Sequence, residues 1–391
     1  MKYDFDKVVD RTNTNSLKFD FAEERGRPAD VLPLWVADMD FPAPQPVLEA
    51  LQKAVSHGIF GYSEVKGPYY QAVAGWFERH FDWRPKEEWL VKTPGVVCAL
   101  AWAVRAYTKP GEAVLIQSPV YYPFYSVVQD NDRELVISDL VYKDGHYTID
   151  IADFEEKIKR HNVKMMILCS PHNPIGRVWS IEELQAIGKI CQKYNVFVAS
   201  DEIHCDFAFE EHPHHIFLKV CPELAERALV CTAPSKTFNL AGLQVSNIWI
   251  PSEQNRKAFL KEMDRSGYSQ LNALGLVACQ AAYEGGEEWL TQCKAYLRAN
   301  LDFVREFLSE KLPQIRLAEP EGTYFAWIDF SALGLSDAEL NDLIVNKAKL
   351  WLDAGNVFGK NGEQFERFVL ACPRKTLEKA LLHLENAIKT L

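Results

Sequence analysis

The chain has 391 residues, 48% hydrophobic and 25% charged, an ordinary globular composition with room for a large core and two domains. Its 43 basic and 54 acidic side chains leave a net charge of −11, which argues against a nucleic-acid surface, because phosphate binding needs a basic face. No apolar run reaches membrane-spanning length and the first residues do not read as a signal peptide, so a cytoplasmic protein is expected. The nine cysteines are scattered and form no CxxC pair; buried, reduced thiols are the simplest account.

Residues 1–30 are polar and mixed in charge, and read as an N-terminal arm. The stretch VLPLWVADMD (31–40) is a short apolar strand or extended segment, broken at Phe41-Pro42-Ala43-Pro44, where two prolines exclude a continuing helix. Gln45 to His57 has helical periodicity, with Gly58 a natural stop. After the loop IFGYSEVKG a second helix is predicted from about Pro68 to His80. A strand over 88–92 then leads through Thr93-Pro94-Gly95-Val96-Val97 into the apolar helix CALAWAVRAY. Strand, glycine turn and helix together aim unpaired N–H groups and the positive helix end at one point. Gly95, Val96 and Val97 are therefore candidates for a backbone phosphate cradle, although many helices start this way without a ligand.

From there strands and helices alternate. Strands are predicted at AVLIQS (113–118), ELVISDL, VKMMILCS, VFVASDE (196–202), ALVCT (228–232) and VSNIWI (245–250), with helices around 153–160 and over Ile181 to Tyr194. Such alternation predicts an α/β fold with a mostly parallel sheet covered on both faces. Ligands on these sheets bind at the carboxyl ends of the strands, where Gly95, Tyr121, Asn173, Asp201 and Lys236 all fall. Helices dominate from Ser252 to about Leu312. An α+β tail follows, with strands at TYFAWIDF, near Trp351 and at RFVLAC, and helices over Ser336–Lys347 and Thr376–Leu391. The expected division is 1–47 (arm and part of a small domain), 48–285 (large domain) and 286–391 (small C-terminal domain).

The chemistry centres on Ala228 to Ser252, ALVCTAPSKTFNLAGLQVSNIWIPS. About six charges are expected in such a window, yet Lys236 is the one residue charged at neutral pH. A buried ammonium loses part of its proton affinity, and a partly neutral amine is what a Schiff-base lysine needs. The alternative is a structural lysine with a buried stem and solvated head. Asp201 ends an apolar strand, so its carboxylate is costly unless paired. The cluster His212, His214 and His215 fits no common metal motif, and a solvated loop with no metal is expected.

SKTFNLAG resembles the lysine motif of pyridoxal-phosphate enzymes with the aspartate aminotransferase fold (fold type I). The resemblance runs from WVADMDF to ACPR. It implies that Lys236 holds pyridoxal 5'-phosphate and acts as general base, and that Asp201 pairs with the pyridinium nitrogen. It further implies that Tyr121 stacks on the ring, Asn173 bonds the phenolic oxygen, and Ala37 offers its N–H to the substrate carboxylate. Arg374, in ACPR, matches the arginine that grips that carboxylate. Tyr62 matches a tyrosine that crosses a dimer interface to the partner's phosphate, implying a homodimer with shared sites.

Two positions depart from many aminotransferases of this fold. His204 stands where tyrosine is common, and Gln244 where an arginine binds phosphate, which leaves phosphate binding to Ser235, Thr232 and the Gly95–Val97 amides. DEIH and TAPSKTFNLAGLQ resemble the carbon–sulfur β-lyases of the MalY/PatB type, including cystathionine β-lyases. That branch implies β-elimination from cysteine S-conjugates. The rival readings are an aminotransferase and, of another class, a partner-binding regulatory protein that retains the cofactor.

Overall fold

The computed structural model describes residues 3–391. Its centre is an eight-stranded sheet, in spatial order Leu90–Thr93, Ser246–Trp249, Ala228–Thr232, Phe197–Asp201, Met165–Cys169, Ala113–Ser118, Glu134–Lys143 and His146–Ile149. Six strands run one way; Ser246–Trp249 and His146–Ile149 run against them. Burial on both faces explains the unbroken apolar runs. Met165 and Ile167 enter one core layer, while their neighbours Met166 and Leu168 enter the other.

The helices begin and end where local chemistry allows. Asp150 caps Ile151–Arg160 by accepting from the amides of Ala152 and Asp153. Ser180 and Glu183 form a capping box on Ile181–Tyr194, which stops at Asn195 in the left-handed region. Sequence periodicity found these helices within about two residues. It missed the hairpin strand His146–Ile149, which is half exposed and too polar to stand out.

The 25-residue helix Glu287–Lys311 leads into the C-terminal part. There a four-stranded antiparallel sheet, ordered Arg316–Ala318, Phe325–Asp329, Phe365–Val369 and Asp353–Ala354, packs with the helix Arg374–Ile388 around a separate apolar cluster. The N-terminal segment joins this part: Leu32–Pro33 pairs in parallel with Leu350–Trp351, and Leu34 lies in its core. Of VLPLWVADMD, only Leu32–Pro33 is strand; Ala37–Asp40 is an irregular strip held by side chains. The final helix ends earlier than expected, at Ile388. Among the described residues no helix is long and apolar enough to cross a membrane.

Candidate active site

Strand direction brings the candidate residues to one edge. Asp201 pairs in register with Cys169 and Cys231, Thr232 with Asn247, and Thr93 with Ser246. The carboxyl ends of the strands therefore line up, at about 4.8 Å per step. The peptide N–H of Tyr121 donates to the Asn173 carbonyl at 3.0 Å, which locks the two loops following their strands together.

Lys236 lies on the single turn Pro234–Thr237, just beyond Ala228–Thr232. Its Nζ donates to the Ala37 carbonyl at 2.9 Å, and the Tyr324 hydroxyl donates to the same oxygen at 3.3 Å. Burial, reinforced by the Arg367 charge, pushes the ammonium down to about 8 from its usual value, against the pull of Asp38 and Asp201. Asn239 fastens the strip to the lysine turn: its Oδ1 accepts from the Met39 amide at 3.1 Å. Its Nδ2 donates to the carbonyls of Met39 and Phe41, both at 2.9 Å.

Asp201 is 4% exposed, and among the described residues its carboxylate accepts a hydrogen bond only from the Ile203 amide, at 3.2 Å. Burial pushes its carboxyl up to about 7, with Glu202 adding to the rise and Lys236 opposing it. His204 is buried, its ring edge-on to Tyr324 and Phe325, and its Nδ1 has no partner among the described residues. Burial, with Lys236 and Arg367 nearby, holds it far below the usual histidine range, so the imidazole is neutral. The amides of Val96 and Val97 precede the first bond of helix Val96–Tyr107, from the Ala99 amide to the Gly95 carbonyl at 3.1 Å. Among the described residues they have no acceptor, and they stand at the same sheet edge. Ser235 also keeps its hydroxyl without a partner among the described residues.

Three sequence expectations need correction. Thr232 is fully buried; its hydroxyl donates to the Asn247 carbonyl at 2.9 Å and accepts from Trp249 Nε1 at 3.1 Å, so it is spent inside the sheet. Arg374 opens the last helix, where its Nε donates to Asn300 Oδ1 at 2.8 Å and its guanidinium covers Phe303. The arginine beside Asn173 is Arg367, 2% exposed, which donates through Nη1 to Asn173 Oδ1 at 2.7 Å and through Nη2 to the Trp35 carbonyl at 2.8 Å. Arg367 also pairs with buried Asp353. Finally, the histidine loop is not wholly solvated: His214 is buried, with Nε2 2.8 Å from Glu202 Oε2.

The structure does not bring Tyr62 to this chain's own cleft. It is 95% exposed, in a loop where Ile59 and Phe60 are 74% and 62% exposed. Gln244 is likewise exposed, in the left-handed region.

The donor set fits pyridoxal phosphate. A buried carboxylate with no ion pair among the described residues suits a protonated ring nitrogen, a part-neutral lysine suits the aldehyde, and helix-start amides with no acceptor among those residues suit the phosphate. The Asn173 amide, its oxygen taken by Arg367, retains donors for a phenolic oxygen.

Comparison with known proteins agrees. The sequence profile described as "Aminotransferase class I and II" matches residues 29–384. The chain is 42% identical to "Cystathionine beta-lyase PatB" of Bacillus subtilis (strain 168) over 98% of this chain and 99% of that protein. Cystalysin from Treponema denticola, whose crystal structure contains a pyridoxal 5'-phosphate cofactor, superposes with a TM-score of 0.96 at 37% identity, covering 100% of both chains. The PLP-bound C-S lyase from Staphylococcus hominis gives a TM-score of 0.92 at 34% identity, covering 99% of this chain and 98% of that one.

Proposed function

The chain belongs to the aminotransferase class I and II family, in its carbon–sulfur β-lyase branch, and from that premise we propose that it cleaves cysteine S-conjugates such as cystathionine by β-elimination. The products are pyruvate, ammonia and a thiol, homocysteine when cystathionine is the substrate. The observation that carries this reading is the placement at one edge of the sheet of Lys236 and of Asp201, a buried carboxylate with no ion pair among the described residues.

Lys236 would bind the cofactor aldehyde, with Asp201, His204, Asn173 and Tyr121 around the ring. Ser235 and the amides of Gly95, Val96 and Val97 would take the phosphate. Bound there, pyridoxal phosphate supplies an electron sink for the pair released at the substrate Cα. Asp201 holds the proton on the ring nitrogen. Arg367 takes the substrate carboxylate, assisted by the Ala37 N–H, and so fixes the orientation of the amino acid. The Nζ of Lys236 would remove the Cα proton as general base. A thiolate can then leave Cβ without a second proton transfer to the cofactor.

The exposed Tyr62 loop supports a homodimer in which each chain completes its partner's phosphate site. The division at about residues 47 and 285 and a cytoplasmic location belong to the same reading.

Given cystathionine and no keto acid, the enzyme should release pyruvate and ammonia over many turnovers. An aminotransferase would stop after about one equivalent, leaving its cofactor as the amine until a keto acid was added. Such a stall with several S-conjugates would overturn the lyase reading.

A further inference from the structure

The N-terminal arm reaches the floor of the site with two cations. Arg11 donates to both carboxylate oxygens of Asp38, at 3.0 and 2.8 Å, and to Asp40 Oδ1 at 2.9 Å. Its Nη1 also lies 3.3 Å from the Met39 carbonyl. Lys18, with no exposed surface, donates to Asp40 Oδ1 at 2.9 Å and to the Asp38 carbonyl at 3.1 Å. Both cations lie against the Phe19 ring.

Two arm cations thus meet two strip carboxylates under low exposure, where an unpaired charge would be costly. The strip they hold is the one whose Ala37 carbonyl receives Lys236. Asp38 follows Ala37 in the chain, and its carboxylate favours the charged form of Lys236. The other groups facing the lysine are Arg367 from the small sheet, Asp201 at the end of its strand and His204 just beyond it, and Tyr324 on the shared carbonyl. Arg11 occupies both oxygens of Asp38 and so offsets the carboxylate charge before it reaches the amine.

We propose that Arg11 is a positioning residue for Lys236: paired with Asp38 and Asp40, it fixes the Ala37 carbonyl against the lysine and screens the amine from the Asp38 carboxylate. This rests on Lys236 being the cofactor lysine. Removing Arg11 leaves Asp38 uncompensated, which favours a proton on the lysine nitrogen. Removing the Asp38 charge does the reverse.

The test is a pH titration of the visible absorbance of the lysine-linked cofactor in holoenzyme, with kcat and KM measured across the same range. Arg11→Gln should raise the absorbance midpoint by about 0.5–1 unit, less than for a fully buried pair because Asp38 is 28% exposed. Asp38→Asn should lower it, and Arg11→Lys should restore most of the wild-type value. Opposite shifts in these two neutralising variants are a result that loss of packing alone would not give. Midpoints unchanged within about 0.2 units in both variants would overturn the proposal. If Arg11→Gln fails to fold, the isosteric Asp38→Asn decides by the sign of its shift. A visible band that survives in Lys236→Ala would instead overturn the lysine assignment, a separate and recognisable failure.

Discussion

Arg367 Nη1 and Asn173 Oδ1 lie 2.7 Å apart, so the arginine proposed to take the substrate carboxylate is tied to the asparagine proposed to face the cofactor ring. On the proposed function, substrate grip and cofactor orientation are thereby one unit. Replacing Arg367 by Ala should lower kcat/KM about 100-fold or more, because truncating one partner of a buried charge pair costs about 2–5 kcal/mol. The loss should appear largely in KM. Arg374→Ala should stay within about threefold of wild type, since its guanidinium is engaged by Asn300 and Phe303. If Arg367→Ala is unstable because Asp353 is left alone, Arg367→Lys keeps the charge and tests the fork. The reverse ranking, with Arg374 dominant in KM, would refute the assignment.

Lys236→Ala should lose the visible absorbance of the bound cofactor and turnover together. Residual weak colour on adding pyridoxal phosphate would reflect phosphate contacts. An unchanged band with full activity would show that another amine holds the cofactor.

Asp201 sets a pH dependence whose sign can be worked out. Its folded-state value is raised to about 7 in the cofactor-free protein. An acid raised on folding contributes stability that is complete below its unfolded value, near pH 4, and is lost as pH rises through 7. Asn cannot ionise, so cofactor-free Asp201→Asn should gain on wild type in urea unfolding at pH 7.5 and show little gain at pH 4.5. With cofactor bound the order should invert for activity, because Asn cannot hold the ring proton as a carboxylate does. An equal stability difference at both pH values would refute this account.

If Tyr62 serves the neighbouring chain, mixing inactive Lys236→Ala protein with an inactive Tyr62 variant should restore part of the activity. Hybrid dimers would contain one intact site. Confirmed hybrids without activity would remove the shared site and leave the fold untouched.

Much of this was legible in the sequence because the sheet is buried on both faces. Strands such as AVLIQS and ALVCT announce themselves as apolar runs, and strand ends then locate the site. Lys236 stood out as a lone charge in an uncharged stretch. The same signal existed for Arg367, set in the strand Phe365–Val369, but Glu366 beside it hid the anomaly. Arg374 drew the match instead because its neighbours read as a motif. The orientation of Thr232 is hidden for a different reason: pleat direction decides whether a strand-end hydroxyl faces the cleft or the sheet, and a one-residue change of phase reverses it. The Ala37–Asp40 strip has no periodicity at all; its shape comes from Asn239, Arg11 and Lys18, which are distant in sequence.

That strip also governs when a newly made chain can become an enzyme. Leu32 and Pro33 pair with Leu350 and Trp351, the Leu34 carbonyl accepts from Val369, and the Asp40 amide donates to the Ala371 carbonyl. Residues 32–40 must therefore wait for residues 350–371, which are synthesised later. Such long-range closure is slow relative to local helix formation. The large sheet can assemble during synthesis, and Asn239, Arg11 and Lys18 can already hold the Ala37–Asp40 strip, but its last anchors form only once residues 350–371 have emerged. A nascent chain would pass through a stage with its sheet built and the strip beside Lys236 only partly anchored, so completion of the site follows assembly of the sheet.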